Sequence, residues 1–188
     1  MCAATSTPVV TSHHTKCVGD ATDCVDASGA FLVSIALMFS TTTANAASAG
    51  DKRAVQTAHQ YLGSSYFSLL GLVDQLKFEG YTVEQATYGA SHSGANWNSQ
   101  AVGSAKDYLS NQAFSQGGLI AQLVFEKFTQ AQATYGVSKC GANWNYQAVL
   151  AAKEYLSTQS FSRSGLIAQL EFDKFTAAQA TYGVNRAY

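Results

Sequence analysis

Four histidines and four cysteines are the side chains of this sequence best suited to bind a metal or attack a substrate. His13 and His14 stand beside Cys17 and Cys24. That spacing has no Cys-x-x-Cys pair, and the surrounding Thr, Ser, Ala and Asp carry no apolar periodicity to fix a coordination shell. His59 and His92 are isolated. A catalytic or metal role needs convergent partners, and neither has one in its neighbourhood. Gly117 and Gly118 open a helical pattern instead of the strand-turn-helix that a phosphate loop requires. The sequence is therefore read as that of a non-enzyme, with no catalytic, metal or cofactor residue assigned. Binding residues are left open.

What the sequence does contain is a ruler. Thr-Tyr-Gly occurs three times, ending at Gly89, Gly136 and Gly183, with each copy 47 residues after the last. The same offset aligns Tyr61, Tyr108 and Tyr155, then Phe67, Phe114 and Phe161, then Gly71, Gly118 and Gly165, and it pairs Trp97 with Trp144. A fixed period of this size is the mark of a repeat architecture. A unit of 47 residues is near the lower limit for an independent core, so neighbouring units are expected to share buried surface.

Within a unit the apolar spacing is helical. Ala101, Val102, Ala105, Tyr108 and Leu109 fall on one helix face. Asn98 reads as its N-cap, with Trp97 before it stapled onto Val102, and Asn145 and Asp51 read as the equivalent caps. A second helix starts at Ser115, with Phe114 ahead of it and Leu119, Ile120, Leu123 and Phe125 on its apolar side. Ser68 and Ser162 repeat that cap. The third helix opens with a Thr-x-x-Gln capping box at Thr129 and Gln132, repeated at Thr82 and Gln85 and at Thr176 and Gln179. It is expected to turn Ala133 and Tyr135 inward and to end at Gly136 in the left-handed conformation. The repeated aromatics Tyr61, Phe67, Phe78, Tyr88 and their copies are expected in the core, given the apolar area each would bury. Glu126, Glu171 and Asp173 read as solvated face residues. The fold class is all-α: three tandem 47-residue, helix-turn-helix-like three-helix repeats after a disordered leader. The domain reading is 1–29 leader, 30–49 signal-like segment, 50–97 repeat 1, 98–144 repeat 2 and 145–188 repeat 3.

The signal-like segment rests on Ala30 to Phe39, an uncharged apolar run too short to span a bilayer and of the length of a secretory h-region. Ala44-Asn45-Ala46 and Ala47-Ser48-Ala49 follow as small-x-small cleavage patterns. Cleavage after Ala46 or Ala49 would release the repeats outside the membrane and leave Cys140 as the one remaining cysteine, which forms no internal disulfide. The preceding residues are acidic (Asp20, Asp23, Asp26), and the nearest base is Lys16. A different start of translation and a small buried helix are the two alternatives for this run. No Leu-x-x-Cys lipobox follows it, which puts a lipid anchor in doubt.

Composition narrows the partners. Charged residues are only 12% of the chain, and the formal net charge is −1. A protein that neutralises several phosphates carries a clustered surplus of Lys and Arg, so nucleic acid is a poor partner and an intracellular DNA-binding or regulatory module is the alternative reading.

Gly165 to Val184 (GLIAQLEFDKFTAAQATYGV), Ala-Asn-Trp-Asn-x-Gln-Ala at Ala95 to Ala101 and Ala142 to Ala148, and Ala-Lys-x-Tyr-Leu at Ala105 to Leu109 and Ala152 to Leu156 resemble the repeat of the Ltp-like, host cell surface-exposed lipoprotein family. The resemblance spans Asp51 to Val184. It implies small helical units standing outside the cell membrane. In founding, phage-encoded members these block DNA injection by a second phage through binding of its tail tape-measure protein. It therefore implies a secreted or cell-surface protein with a protein partner, acting in superinfection exclusion and meeting the membrane only through its leader or by association with the cell envelope. It brings no binding residue onto a numbered position here. From Ala47 onward ten Lys and Arg face nine Asp and Glu, so an acidic binding surface would have to come from local clustering.

Overall fold

The computed structural model describes residues 47–188. The leader, the apolar run and Ala46 lie outside them, as do Cys2, Cys17, Cys24, His13 and His14. The described residues form nine helices and no strand. They are α1 (Ala49–Ser64), α2 (Leu69–Phe78), α3 (Val83–Ser91), α4 (Trp97–Asn111), α5 (Gln116–Phe125), α6 (Gln130–Lys139), α7 (Trp144–Thr158), α8 (Arg163–Phe172) and α9 (Ala177–Ala187). Three helices make one repeat. In each, the long first helix packs closest on the third, and the second crosses both.

The caps of the second and third helices stand where the local signals put them. Ser68, Ser115 and Ser162 accept from the amides of Gly71, Gly118 and Gly165. Thr82, Thr129 and Thr176 form reciprocal capping boxes with Gln85, Gln132 and Gln179. Each such cap contributes about 1 kcal/mol to a helix too short to persist alone.

The first helices start earlier than their sequence suggested. Asn96 and Asn143, not Asn98 and Asn145, cap α4 and α7, which places Trp97 and Trp144 at the first helical position. In α1 the cap is Ser48, and Asp51 is its capping-box partner at N3, so Asp51 caps from inside the helix. The tryptophans do not staple their own helix. Trp97 packs on the core of repeat 1, and Trp144 on that of repeat 2, tying each repeat to the one before it.

Every repeat has its own small core. Leu72 and Leu76, Leu119 and Leu123, and Leu166 and Leu170 are fully buried among alanines. Burial of each leucine stabilises by about 1.5–3 kcal/mol. The alanines matter because they let helices approach. Gly136 lies inside α6, not beyond its end, and a Cβ there would come within 2.6 Å of the Ala101 carbonyl oxygen. Gly89 meets Ala54, and Gly183 meets Ala148, in the same way. The glycine of Thr-Tyr-Gly is therefore the crossing point of the first and third helices. The left-handed residues are elsewhere: Gly80 (φ 92°) and its copies Lys127 (φ 66°) and Lys174 (φ 68°) turn the chain between the second and third helices, and Gly94 (φ 67°) and its copy Gly141 (φ 79°) turn it between repeats.

Two aromatic positions also differ from expectation. Tyr135 and Tyr182 are exposed, and Phe78, Phe125 and Phe172 are 85%, 78% and 82% exposed. Each of these phenylalanines ends the second helix of its repeat, two residues past the last buried leucine of the stripe that faces the core.

Candidate binding groove between repeats

The surface that joins two repeats is built from a serine, a glutamine and a carboxylate that recur at the same register. Ser68, already capping α2, donates its hydroxyl proton to the carbonyl oxygen of Glu126 at 2.6 Å, and Ser115 does the same to Asp173. The amide of Phe67 donates to Gln100 Oε1 at 3.1 Å, and that of Phe114 to Gln147 Oε1 at 3.3 Å. The turn before the second helix of one repeat thus docks on the first and second helices of the next. Ser68 and Ser115 are buried, and Gln147 with them. Gly117 serves this approach, since a Cβ there would sit 3.1 Å from Lys174 Cβ, whereas at Gly118 the close contact, 2.9 Å, is with Oγ of its own cap Ser115. Across the first junction, Lys127 also pairs with Asp74, which holds the Asp74 carboxyl below its ordinary range, helped by Lys77.

Beside each docking turn stands a second recurrent network. The Tyr108 hydroxyl donates to Glu126 Oε1 at 2.9 Å and accepts from Gln122 Nε2 at 3.1 Å. Tyr155, Asp173 and Gln169 repeat the arrangement at 2.8 and 3.2 Å, and Tyr61, Glu79 and Gln75 supply the first copy. Glu126 and Asp173 are therefore acceptors in a fixed network, not free face residues. Each tyrosine ring meets the phenylalanine of the following turn edge to face, with centroids 5.6 to 5.8 Å apart. Partial burial, then the neighbouring carboxylate, pushes the Tyr155 hydroxyl above its usual value, and burial does the same at Tyr108. At Tyr61 the hydrogen bond to Glu79 is the main cause. A phenol held protonated in this way is a fixed donor and a poor nucleophile.

Between repeats 2 and 3 these elements enclose a groove of about 660 Å³. Its lining includes Ala113 and Ala151, the aromatic rings of Phe125 and Phe172, and the charged groups of Glu154, Asp173 and Lys174. The equivalent recess between repeats 1 and 2 is about 300 Å³ and is lined in part by Tyr66.

The residues first suspected of chemistry are scattered. His59 Nε2 lies 2.9 Å from the Ser93 carbonyl oxygen, and His92 stacks on Tyr88 with centroids 3.8 Å apart. Cys140 is buried, and its thiol donates to the Val137 carbonyl oxygen at 3.1 Å. Among the described residues, no three His, Cys, Asp or Glu side chains come together as a metal site. No described helix is long and apolar enough to cross a membrane. Ala49, one of the two cleavage candidates, is the first residue of α1.

A helical tandem array with recesses at its junctions is the class that this geometry defines. The chain belongs to the family of host cell surface-exposed lipoproteins, whose model matches three times in tandem, at residues 50–92, 96–139 and 143–186. The second and third matches begin at the capping asparagines Asn96 and Asn143. No curated protein and no solved structure matches the chain.

Proposed function

We propose that this protein works outside the cytoplasmic membrane as a rigid repeat array that binds a protein segment and thereby blocks the segment's passage or assembly. The observation that carries this reading is the threefold family match over an array with an aromatic-lined groove at a junction. Superinfection exclusion is the concrete role: the array would hold a phage tail protein, of the tape-measure kind, and stop DNA entry by occlusion with no bond made or broken. Nucleic acid is a poor occupant, because the groove lining carries two carboxylates against one ammonium.

The export step fits cleavage after Ala46 better than after Ala49. The first leaves Ser48 in place to cap α1 through Asp51, whereas the second removes the cap and the first helical residue.

The test is expression in a phage-sensitive host, with adsorption and DNA entry scored separately over a broad phage panel. Unchanged adsorption with blocked entry of some phages is expected, and the envelope fraction should yield a chain beginning at Ala47. Unchanged DNA entry for every phage removes superinfection exclusion. Intact chain recovered from the cytoplasm with residues 1–46 attached removes export.

A further inference from the structure

Every residue that lines the recess between repeats 1 and 2 carries a hydroxyl, an amide or a carboxylate. One of them is buried without a partner. Ser104 is 7% exposed, and its hydroxyl makes no hydrogen bond to any described residue. Among the described residues no fully enclosed side-chain oxygen or nitrogen lacks a partner, so this hydroxyl opens onto the recess that Ser104 lines. Register shows what it is missing. In repeat 1 the equivalent Thr57 meets the Tyr81 hydroxyl, with the two oxygens 2.8 Å apart. In repeat 2 Phe128 stands in the place of Tyr81, so the serine remains and its partner is gone. In repeat 3 both hydroxyls are gone, the pair being Ala151 and Phe175, and the fold is the same. The fold therefore needs no hydroxyl at this position, and a buried one left unpaired costs stability.

We infer that this recess binds a single sugar unit, with Ser104 and Asp107 bonding its hydroxyl or amino groups and the Tyr66 ring lying against its C–H surface. The groups around Ser104 are of the kind that a sugar needs. The Tyr66 hydroxyl, the Asp107 carboxylate and the Gln112 side-chain amide also make no hydrogen bond to a described residue, and together they offer donors and acceptors close to one another. A ligand that matches them must itself carry several closely spaced donors and acceptors, as a ring of hydroxyl groups does. Tyr66 adds an apolar surface in a fixed place. Its ring packs on α4 at Gly103, where a Cβ would come within 2.2 Å of it, and the residue is still 46% exposed. The volume of about 300 Å³ is at the small end for ligand pockets and suits one ring. Charge chooses among sugars: Asp107 and Glu126 line the recess and no Lys or Arg does, so an amino sugar is favoured over an acid sugar. A hard cation is the poorer fit, because it takes six or more oxygens and no third acidic, His or Cys side chain joins the two carboxylates.

Glucosamine, glucose and glucuronate are the probes, titrated into the full chain and followed by amide NMR shifts. Saturable shifts centred on Tyr66, Ser104 and Asp107 are expected, with glucosamine tightest at a dissociation constant on the order of 1 mM, glucose weaker and glucuronate weakest. Ser104→Ala installs the residue that repeat 3 carries at the same register. It should weaken glucosamine and glucose alike by about tenfold and leave the thermal midpoint of the unliganded protein unchanged or raised. Asp107→Asn, at an exposed position, should weaken glucosamine by about threefold and leave glucose binding nearly as it was, and it keeps the inference testable should Ser104→Ala not fold. A β-1,4-linked glucosamine disaccharide separates the two sources of such a ligand: tighter binding than the monosaccharide supports a unit within a glycan chain, and weaker binding supports a free sugar. Absence of saturable shifts at the recess, binding unaltered in folded Ser104→Ala, or glucuronate binding as tightly as glucosamine overturns the inference. The readout is direct binding, so the result stands whether or not the protein blocks a phage.

Discussion

The hydroxyl of Ser115 does two jobs at once: it accepts the Gly118 amide at the start of α5 and donates to the carbonyl oxygen of Asp173, 58 residues further along the chain. A helix cap is thereby also the joint between repeats. Ser68 plays the same double part toward Gly71 and Glu126. Ser162 caps α8 but is exposed and makes no such link, and its hydroxyl lies 3.3 Å from that of Ser164 instead.

This difference gives an internal control. Ser115→Ala removes a buried cap and strands the Asp173 carbonyl, and should destabilise by about 2–3 kcal/mol. Ser162→Ala loses only the exposed cap, for about 0.5–1 kcal/mol. Urea unfolding followed by circular dichroism compares the two. Because the array couples repeats through their interfaces, Ser115→Ala should also broaden the transition, uncoupling repeat 3 from the rest. Equal costs for the two serines would show that the joint contributes nothing.

Glycine gives a second contrast. Gly136→Ala ought to stabilise α6 by helix propensity, yet its methyl group would meet the Ala101 backbone, so a net loss of about 1–3 kcal/mol is expected. Gly63→Ala, near the end of α1 with open space around it, should gain about 0.5–1 kcal/mol. Thermal unfolding of the two variants should move in opposite directions.

The titration behaviour is asymmetric. The folded state holds the Tyr155 and Tyr108 hydroxyls above the ordinary value of 10.0, so their contribution is fully present below that pH and is lost as pH rises through the folded-state value. Asp74 works in the other direction, its folded value lying below 3.8, so its contribution is present above that pH and fades as pH falls through the lowered value. Unfolding midpoints measured across the alkaline range should drop more steeply for the native sequence than for Tyr155→Phe. Asp74→Asn should soften the acid limb alone, by a small amount because the pair is exposed.

How far these features were legible depends on how local they are. The caps at Ser68, Ser115 and Ser162 and the boxes at Thr82, Thr129 and Thr176 are four-residue patterns, and the helices begin where those patterns place them. The Asn-Trp-Asn sequence is ambiguous by the same local rules, because an asparagine on either side of Trp97 can cap. The choice is made by Trp97 packing on the core of the preceding repeat, a contact no window of sequence contains. Gly136 was misleading for a similar reason: glycine after an apolar helix commonly ends it, and only the crossing with Ala101 shows that this one is a contact surface. The groove had a signal of its own. Gln75, Gln122 and Gln169 recur with an acid four residues later in every copy, and Tyr66 against Ala113 is one of the places where copies depart from one another.

The junctions also govern what this protein does in a crowd of its own copies. A head-to-tail contact of this kind has no symmetry to close it, so a free donor surface meeting a free acceptor surface would add copy to copy without limit. Both surfaces are blunted by single residues. Where Gln100 and Gln147 accept an incoming amide, repeat 1 has Arg53, whose guanidinium can only donate. In repeat 3 the donor face is overlaid by Tyr188, which hydrogen-bonds the Phe161 carbonyl and lies under Arg163. Filament growth is thus discouraged by the same register that glues the repeats together.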